Sequence, residues 1–285
     1  MSDHTERNEQ DGIERAAMAQ LDSLLPVGDH EEEVSVDGKK EVKKGIYLLP
    51  NLFTTGALFS GFYAIVSAMH GSFQEAAIAI CVAMILDVLD GRVARLTNAQ
   101  SAFGAEYDSL ADMVSFGLAP GLVVFQWSLY ELGKLGWCIA FVYVACAAVR
   151  LARFNTQKAS DKRFFTGLAS PAAATLIACT VWLSHDLGWL GEELPSLVTG
   201  FAALLTLIGG LLMVSNVRYQ SFKCVDLRAR VPLIVLILII VVFAIILVNP
   251  PTVLLLMLIT YALSGPVFHF RSKKAEAEAA LNDVN

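Results

Sequence analysis

The chain has 285 residues, of which 55% are hydrophobic and 17% are charged, and its formal net charge at pH 7 is −6. Soluble domains carry about 25% charged residues, so the composition argues against a soluble domain. The charge itself identifies no partner, because much of it comes from an acidic N-terminal segment. Residues 231–248 form an unbroken apolar run, which is long enough for a membrane-spanning helix.

Residues 1–38 are predicted to form a cytoplasmic tail. The tail is either disordered and solvated or contains a short docking helix between Ile13 and Leu25, where apolar residues recur at helical spacing. We expect no secretory signal, because the first apolar run begins only near Ile46.

From residue 39 onward, the sequence predicts an all-α polytopic membrane protein with eight helices. Each apolar span can cross about 30 Å of hydrocarbon. The spans are roughly 45–69, 72–95, 104–129, 136–156, 167–186, 195–216, 231–249 and 251–270. We assign 39–216 to a six-helix membrane core, 217–270 to a two-helix C-terminal membrane extension and 271–285 to a cytoplasmic tail.

Lysine and arginine fall almost entirely on one set of connecting segments, and the opposite set contains only Lys134. Basic residues are enriched on the cytoplasmic side of membrane proteins. Both termini are therefore predicted to be cytoplasmic, in an integral protein of the cytoplasmic (inner) membrane.

Four aspartates lie at the junction of the second and third spans. Asp87 and Asp90 share one helical face with Gly91, Ala94 and Arg95, at offsets of three, four, seven and eight residues. Positions 104, 108 and 112, occupied by Gly104, Asp108 and Asp112, share a face of the next helix. The short connection makes the two helices antiparallel neighbours, so the two faces can meet.

Four carboxylates inside a membrane repel one another and are costly to desolvate. Cations must neutralise them, and an oxygen-only set without histidine or cysteine favours Mg²⁺ or Mn²⁺. Two ions sharing carboxylate ligands suit four aspartates. The small residues Gly91, Ala94 and Gly104 would leave room for a metal-bound phosphate ester, although small residues can also serve close helix packing.

The spacing DxxDGxxAR-x8-GxxxDxxxD, from Asp87 to Asp112, resembles the signature of the CDP-alcohol phosphotransferase family, and every motif position is matched. The resemblance implies that one metal binds Asp87, Asp90 and Asp108. The other metal binds Asp87, Asp108 and Asp112, and Asp112 also accepts the proton of the attacking alcohol. It further implies that the CDP-diacylglycerol site includes Asn51, Thr54, Gly91, Ala94, Arg95, Ser101 and Gly104.

Segments outside the motif resemble the branch of this family that uses L-serine as the acceptor alcohol. These are Pro50–Thr54, Arg150–Asn155 and Phe165–Ala172, where Ala169 replaces an expected proline, together with the two C-terminal helices. We predict that Arg150, Arg153 and Asn155 bind serine, because a guanidinium can pair with its carboxylate. Alternatively, the two arginines are membrane anchors that bind lipid headgroups.

The predicted substrates are CDP-diacylglycerol and L-serine, in contact with membrane lipids. We expect a homodimer and no nucleic-acid partner. Two other family activities remain open, those of phosphatidylcholine synthase and phosphatidylglycerophosphate synthase. An ion-coupled transporter could also place carboxylates within a membrane.

Overall fold

A computed structural model of the chain describes residues 33–36, 39–42, 48–97, 101–156, 164–189, 194–220 and 233–282. The chain divides into two units, Met1–Ile46 and Tyr47–Asn285. The predicted helix between Ile13 and Leu25 lies outside the described residues.

In the first unit, strands β1 (Glu33–Val36) and β2 (Lys39–Val42) form an antiparallel hairpin. β1 falls within the segment for which a disordered or helical tail is predicted, so that prediction is wrong for these four residues. The alternation of charged or polar residues with Val34 and Val36 fits a strand.

The second unit is built of helices. They are α1 (Leu48–Met69), α2 (Phe73–Leu96), α3 (Ala102–Asp112), α4 (Ala119–Trp127), α5 (Lys134–Thr156), α6 (Ser170–Asp186), α7 (Ser196–Val214), α8 (Leu233–Val248) and α9 (Pro250–Asn282). A π-helical segment, Met113–Leu118, joins α3 and α4 into one rod. With that rod counted once, one described helix lies at each of the eight predicted spans. Helix α9 extends beyond its predicted span to Asn282, into residues predicted as a tail.

The helices carry the apolar exterior of a polytopic membrane protein. Four stretches are long and apolar enough to cross a membrane by length and composition alone: Leu49–Met69, Phe103–Trp127, Lys134–Thr156 and Ser196–Val214. Large apolar side chains such as Phe59, Phe62, Phe141 and Leu204 are exposed on the outside of the bundle, where lipid rather than water would solvate them.

Small residues allow α1 and α2 to pack closely, and Ala64, Ala76 and Ala83 are fully buried in the core. Helix α6 is the central helix of the unit. It contacts α2, α4, α7 and α9, and residues 173–181 are buried along its whole circumference.

A second antiparallel hairpin joins β3 (Phe164–Thr166), which precedes α6, to β4 (Arg218–Gln220), which follows α7. Between β3 and α6, Gly167 has φ +82°, and a Cβ atom there would lie 2.3 Å from the Met213 carbonyl oxygen. Only glycine fits this turn. The turn fixes the start of α6 at the end of the bundle where α2 ends and α3 begins, which we call the site end.

Candidate active site

The structure brings the four predicted aspartates together at the site end. Carboxylate oxygens of Asp87, Asp90 and Asp108 all lie within 4.8 Å of one another. The Asp112 carboxyl lies within hydrogen-bonding distance of the Asp87 carboxyl. Asp90 is buried, and the other three side chains are half-buried. The cluster therefore combines residues from α2 and α3, as predicted.

Among the residues that the structure describes, Asp87, Asp90 and Asp108 are the one group of three histidine, cysteine or acidic residues with metal-binding spacing. All their donors are carboxylate oxygens, the ligands that Mg²⁺ and Mn²⁺ prefer. Four carboxylates at this separation repel one another in a partly desolvated setting. The donor set and its charge therefore fit divalent cations.

A threonine of helix α1 holds one aspartate of this cluster in place. The Thr54 hydroxyl lies 2.8 Å from Asp90 Oδ2 and 3.2 Å from the Pro50 carbonyl oxygen. Thr54 is buried, so its hydroxyl fixes the Asp90 side chain. Groups that hold metal-binding carboxylates in this way tune the affinity of the site.

The small residues of the motif leave open space beside the cluster. A Cβ atom on Gly91 would meet only Arg95 Nη2, at 3.8 Å, within a 4 Å radius. Arg95 is exposed, and its Nε donates to the Gly91 carbonyl oxygen at 2.7 Å. The guanidinium therefore folds back over the open face of α2, and Ala94 is half-buried beside it.

Ser101 begins α3 as an N-cap, because its Oγ accepts a hydrogen bond from the Gly104 backbone N–H at 2.8 Å. A Cβ atom on Gly104 would lie 3.5 Å from Asn51 Oδ1, so the start of α1 closely approaches the start of α3. Tyr107 also joins these helices through its hydroxyl, 2.9 Å from Thr55 Oγ1. Sequence reasoning missed Tyr107, which occupies one of the unspecified positions of the motif.

The two arginines predicted to bind the acceptor have different hydrogen-bond partners. Arg150 Nη1 donates to Ser170 Oγ at the start of α6, at the site end. Arg153 instead donates to Asn216 Oδ1 at 2.8 Å and to the Val214 carbonyl oxygen at 3.4 Å.

Through these contacts the Arg153 guanidinium caps the C-terminal end of α7, and its predicted role in serine binding stays a prediction. Asn155 contacts α3 at the residue that follows Asp108. It is exposed, and its Nδ2 donates to Ser109 Oγ on α3 at 3.0 Å.

The π-helical segment begins directly after Asp112. Its wider turn is held by two neighbouring helices: Ser115 Oγ donates to the Ala57 carbonyl oxygen at 2.9 Å, and the Tyr143 hydroxyl donates to the Phe116 carbonyl oxygen at 3.0 Å. A Cβ atom on Gly61 would lie 2.6 Å from Ser115 Oγ, so α1 needs glycine there. Single π turns occur frequently at functional sites, and this one fixes the backbone next to Asp112.

Residues 47–215 match the model of a family described as CDP-alcohol phosphatidyltransferase. The chain belongs to this family. The match spans α1 to α7 and contains all four aspartates, and it confirms the family that the motif predicts. Membership explains why the CDP-alcohol phosphatidyltransferase signature coincides with the clustered carboxylates, and it leaves α8 and α9 outside the matched region.

Several curated relatives share one name, CDP-diacylglycerol–serine O-phosphatidyltransferase. The protein of Helicobacter pylori (strain J99) is 43% identical over 192 residues, 67% of this chain and 79% of the relative. The Mycobacterium tuberculosis (strain H37Rv) protein is 39% identical over 180 residues, 59% of this chain and 63% of the relative. The Bacillus subtilis (strain 168) protein is 34% identical over 179 residues, 61% of this chain and 91% of the relative.

Proposed function

We propose that this protein transfers the phosphatidyl group of CDP-diacylglycerol to L-serine and releases CMP. The observation that carries the acceptor assignment is the Arg150 guanidinium, which Ser170 holds at the start of α6, at the site end. The names of the relatives support the same acceptor.

Two divalent cations, Mg²⁺ or Mn²⁺, fit the carboxylate cluster. Asp87, Asp90 and Asp108 would hold one, and Asp87, Asp108 and Asp112 would hold the other. When bound, such cations supply charge that polarises the diphosphate and stabilises the leaving phosphate. Thr54 keeps Asp90 oriented toward the other carboxylates.

The protein side of the reaction requires a proton acceptor beside the alcohol. The serine hydroxyl oxygen forms a bond to the phosphorus that carries diacylglycerol, and the bond from that phosphorus to the CMP oxygen breaks. The serine proton passes to the Asp112 carboxylate, and CMP leaves with the electron pair. Arg95, folded over the open face at Gly91, offers its guanidinium to the diphosphate.

Arg150 gives the site a reason to prefer serine. Its guanidinium is partly buried and fixed by Ser170, so it can pair with the serine carboxylate. Choline carries a permanent positive charge and no carboxylate, and the same guanidinium would repel it. We therefore assign the basic residue to an amino-acid acceptor rather than to a headgroup anchor.

Arg150→Lys tests this assignment. We expect the KM for serine to rise about tenfold or more, because a charge-assisted hydrogen bond to a carboxylate is lost. The KM for CDP-diacylglycerol should change less than twofold in this variant. In the matched control variant Arg153→Lys, the KM for serine should also change less than twofold. CMP release with serine, choline and glycerol 3-phosphate measures both constants. Turnover with choline but not with serine would contradict the proposed acceptor.

We further propose that the cluster faces the cytoplasm in the inner membrane. The bias of lysine and arginine toward one side supports this orientation. Labelling of a cysteine introduced at Ser101 checks it, and modification by an impermeant reagent from the periplasmic side would contradict it. The homodimer stays a prediction.

A further inference from the structure

Tyr219 of β4 joins the β3–β4 hairpin to the C-terminal helix α9. Its hydroxyl donates to the Ala262 carbonyl oxygen at 3.0 Å. Pro266, four residues after Ala262, lies inside α9 and has no N–H to donate to that carbonyl, so Tyr219 satisfies an acceptor that the helix itself leaves open. A Cβ atom on Gly265 would overlap the Tyr219 ring. Tyr219 is buried, and these contacts fix where α9 lies against β4.

The hairpin needs such a support, because each of its strands is three residues long. A two-stranded hairpin on its own is marginally stable at best, and packing against a helix stabilises it. Strand β4 packs against α9, and Tyr219 supplies a buried side chain to this contact. Tyr219 also pairs with Phe165 in the ladder, so the support extends from β4 to β3.

The residues that follow β3 lead to the acceptor side of the site, which surrounds Arg150. The Gly167 N–H donates to the Val217 carbonyl oxygen at 2.9 Å, which continues the pairing beyond the ladder. Three residues later, Ser170 begins α6, is fully buried and accepts the hydrogen bond from Arg150 Nη1. The position of Ser170 therefore depends on the hairpin that Tyr219 anchors.

An arginine binds a carboxylate through two parallel bonds only when its planar fork has the right orientation. We propose that Tyr219 is a positioning residue for acceptor selection, which ties the hairpin to α9 so that Ser170 orients Arg150 for the serine carboxylate. This inference rests on the proposed function, in which Arg150 binds serine. It gives β4 and α9, which lie outside the family-matched residues 47–215, a part in choosing the substrate.

Two substitutions in the full-length purified protein disturb this contact from its two sides. Tyr219→Phe removes the hydroxyl that reaches Ala262, and Gly265→Ala places a methyl group against the ring. For each variant we expect the KM for serine to rise about fivefold, because the effect acts through one hydrogen bond, that between Ser170 and Arg150. Tyr219→Phe, which keeps the ring, decides the question if Gly265→Ala fails to fold.

The carboxylate cluster is untouched in both variants, so the kcat, the KM for CDP-diacylglycerol and the stabilisation by Mn²⁺ in thermal unfolding should change little. A comparable rise in the KM for CDP-diacylglycerol would overturn the proposal, because the contact would then support the whole bundle rather than the acceptor side.

Ser170→Ala gives a sharper test, because Tyr219 is proposed to act through Ser170. The double variant Tyr219→Phe/Ser170→Ala should raise the KM for serine about fivefold, as Ser170→Ala alone should, since both changes affect one interaction. Independent effects would instead multiply to about 25-fold. That result would overturn the proposal, because Tyr219 would then act by a route that does not include Ser170.

Ser264→Ala is the matched control on α9. The Ser264 hydroxyl is exposed and donates to the Tyr261 carbonyl oxygen at 2.7 Å, within the same helix. We expect its kinetic constants to equal those of the wild-type protein. A rise in the serine KM equal to that of Gly265→Ala would overturn the proposal, because the contact with Tyr219 would then have no special role.

Two further outcomes distinguish this inference from the function on which it rests. If Arg150→Lys raises the serine KM while Tyr219→Phe does not, the role of Tyr219 is refuted and the proposed function stands. If the wild-type protein releases no CMP with serine, or if Arg150→Lys leaves the serine KM unchanged, the acceptor assignment fails and the role of Tyr219 fails with it.

Discussion

The acidic side of the site, which is the carboxylate cluster, and its acceptor side, which surrounds Arg150, are formed by different parts of the chain. All four aspartates come from residues 87–112, on two helices joined by a short connection. The acceptor side combines Arg150 of α5 with Ser170 at the start of α6. Metal binding and phosphoryl transfer thus depend on a local motif, whereas acceptor choice depends on packing between distant helices. Substitutions in the carboxylate cluster should lower turnover with every acceptor equally. Substitutions on the acceptor side should affect the kinetics with serine most.

The largest effect is expected for Asp87→Asn, because Asp87 is assigned to both metal positions. We expect turnover to fall by about a thousandfold or more, the order of loss when a main electrostatic stabiliser is removed, with every acceptor tested. Stabilisation of the protein by Mn²⁺ in thermal unfolding should disappear as well.

Asp186→Asn is the matched control for that variant. Asp186 lies at the opposite end of α6, where its Oδ1 accepts a hydrogen bond from Gln74 at 3.3 Å. It should retain both turnover and stabilisation by Mn²⁺. Substantial activity in Asp87→Asn would instead remove Asp87 from the metal site.

Asp112→Asn separates proton transfer from metal binding. The amide keeps the size of the side chain and cannot accept the serine proton, so turnover should fall by about a hundredfold or more. CDP-diacylglycerol binding, measured by equilibrium dialysis with Mn²⁺ present, should change much less. A matching loss of binding and turnover would make Asp112 a metal ligand without a role as base.

Gly61→Ala tests whether the π-helical segment positions Asp112. The added methyl group would overlap Ser115 and must displace it, so we expect a loss of about 1–3 kcal/mol in stability, as for other overpacked sites. Turnover should fall for all acceptors alike. Gly200→Ala is the control, because a Cβ atom there meets nothing within 4 Å. Wild-type turnover in Gly61→Ala would show that the segment tolerates displacement.

The smallest effect is expected for Ser170→Ala, on the acceptor side. Arg150 loses one hydrogen-bond partner, and the KM for serine should rise about fivefold, as for one ordinary hydrogen bond. The KM for CDP-diacylglycerol should stay constant. A kinetic comparison of serine with glycerol 3-phosphate measures the selectivity, and an equal rise in the KM for both substrates would place Ser170 in general packing instead.

The sequence allows a reader to predict the eight helical segments and the carboxylate cluster because both depend on local patterns. Apolar length marks a span, and helical spacing places Asp87 and Asp90 on one face. Helical spacing also predicts the open face at Gly91. Membership of the CDP-alcohol phosphatidyltransferase family confirms the activity class that the motif predicts.

Other features depend on contacts between segments that are far apart in the sequence, and no local sequence pattern predicts them. The π-helical turn after Asp112 requires partners from two other helices. Arg150 and Arg153 lie one turn apart on α5, and only the neighbouring ends of α6 and α7 decide that they diverge. The position of α9 depends on Tyr219, whose hydroxyl donates to the Ala262 carbonyl oxygen, 43 residues further along the chain.

The β3–β4 hairpin has a consequence for the order in which the enzyme is made. It pairs Phe165 with Tyr219, so it cannot form until α6 and α7 have been synthesised. Chains emerge from the ribosome N-terminus first; the aspartates are therefore present long before Tyr219 and α9. A nascent chain therefore contains all four aspartates before the hairpin can fix the start of α6, where Ser170 binds Arg150.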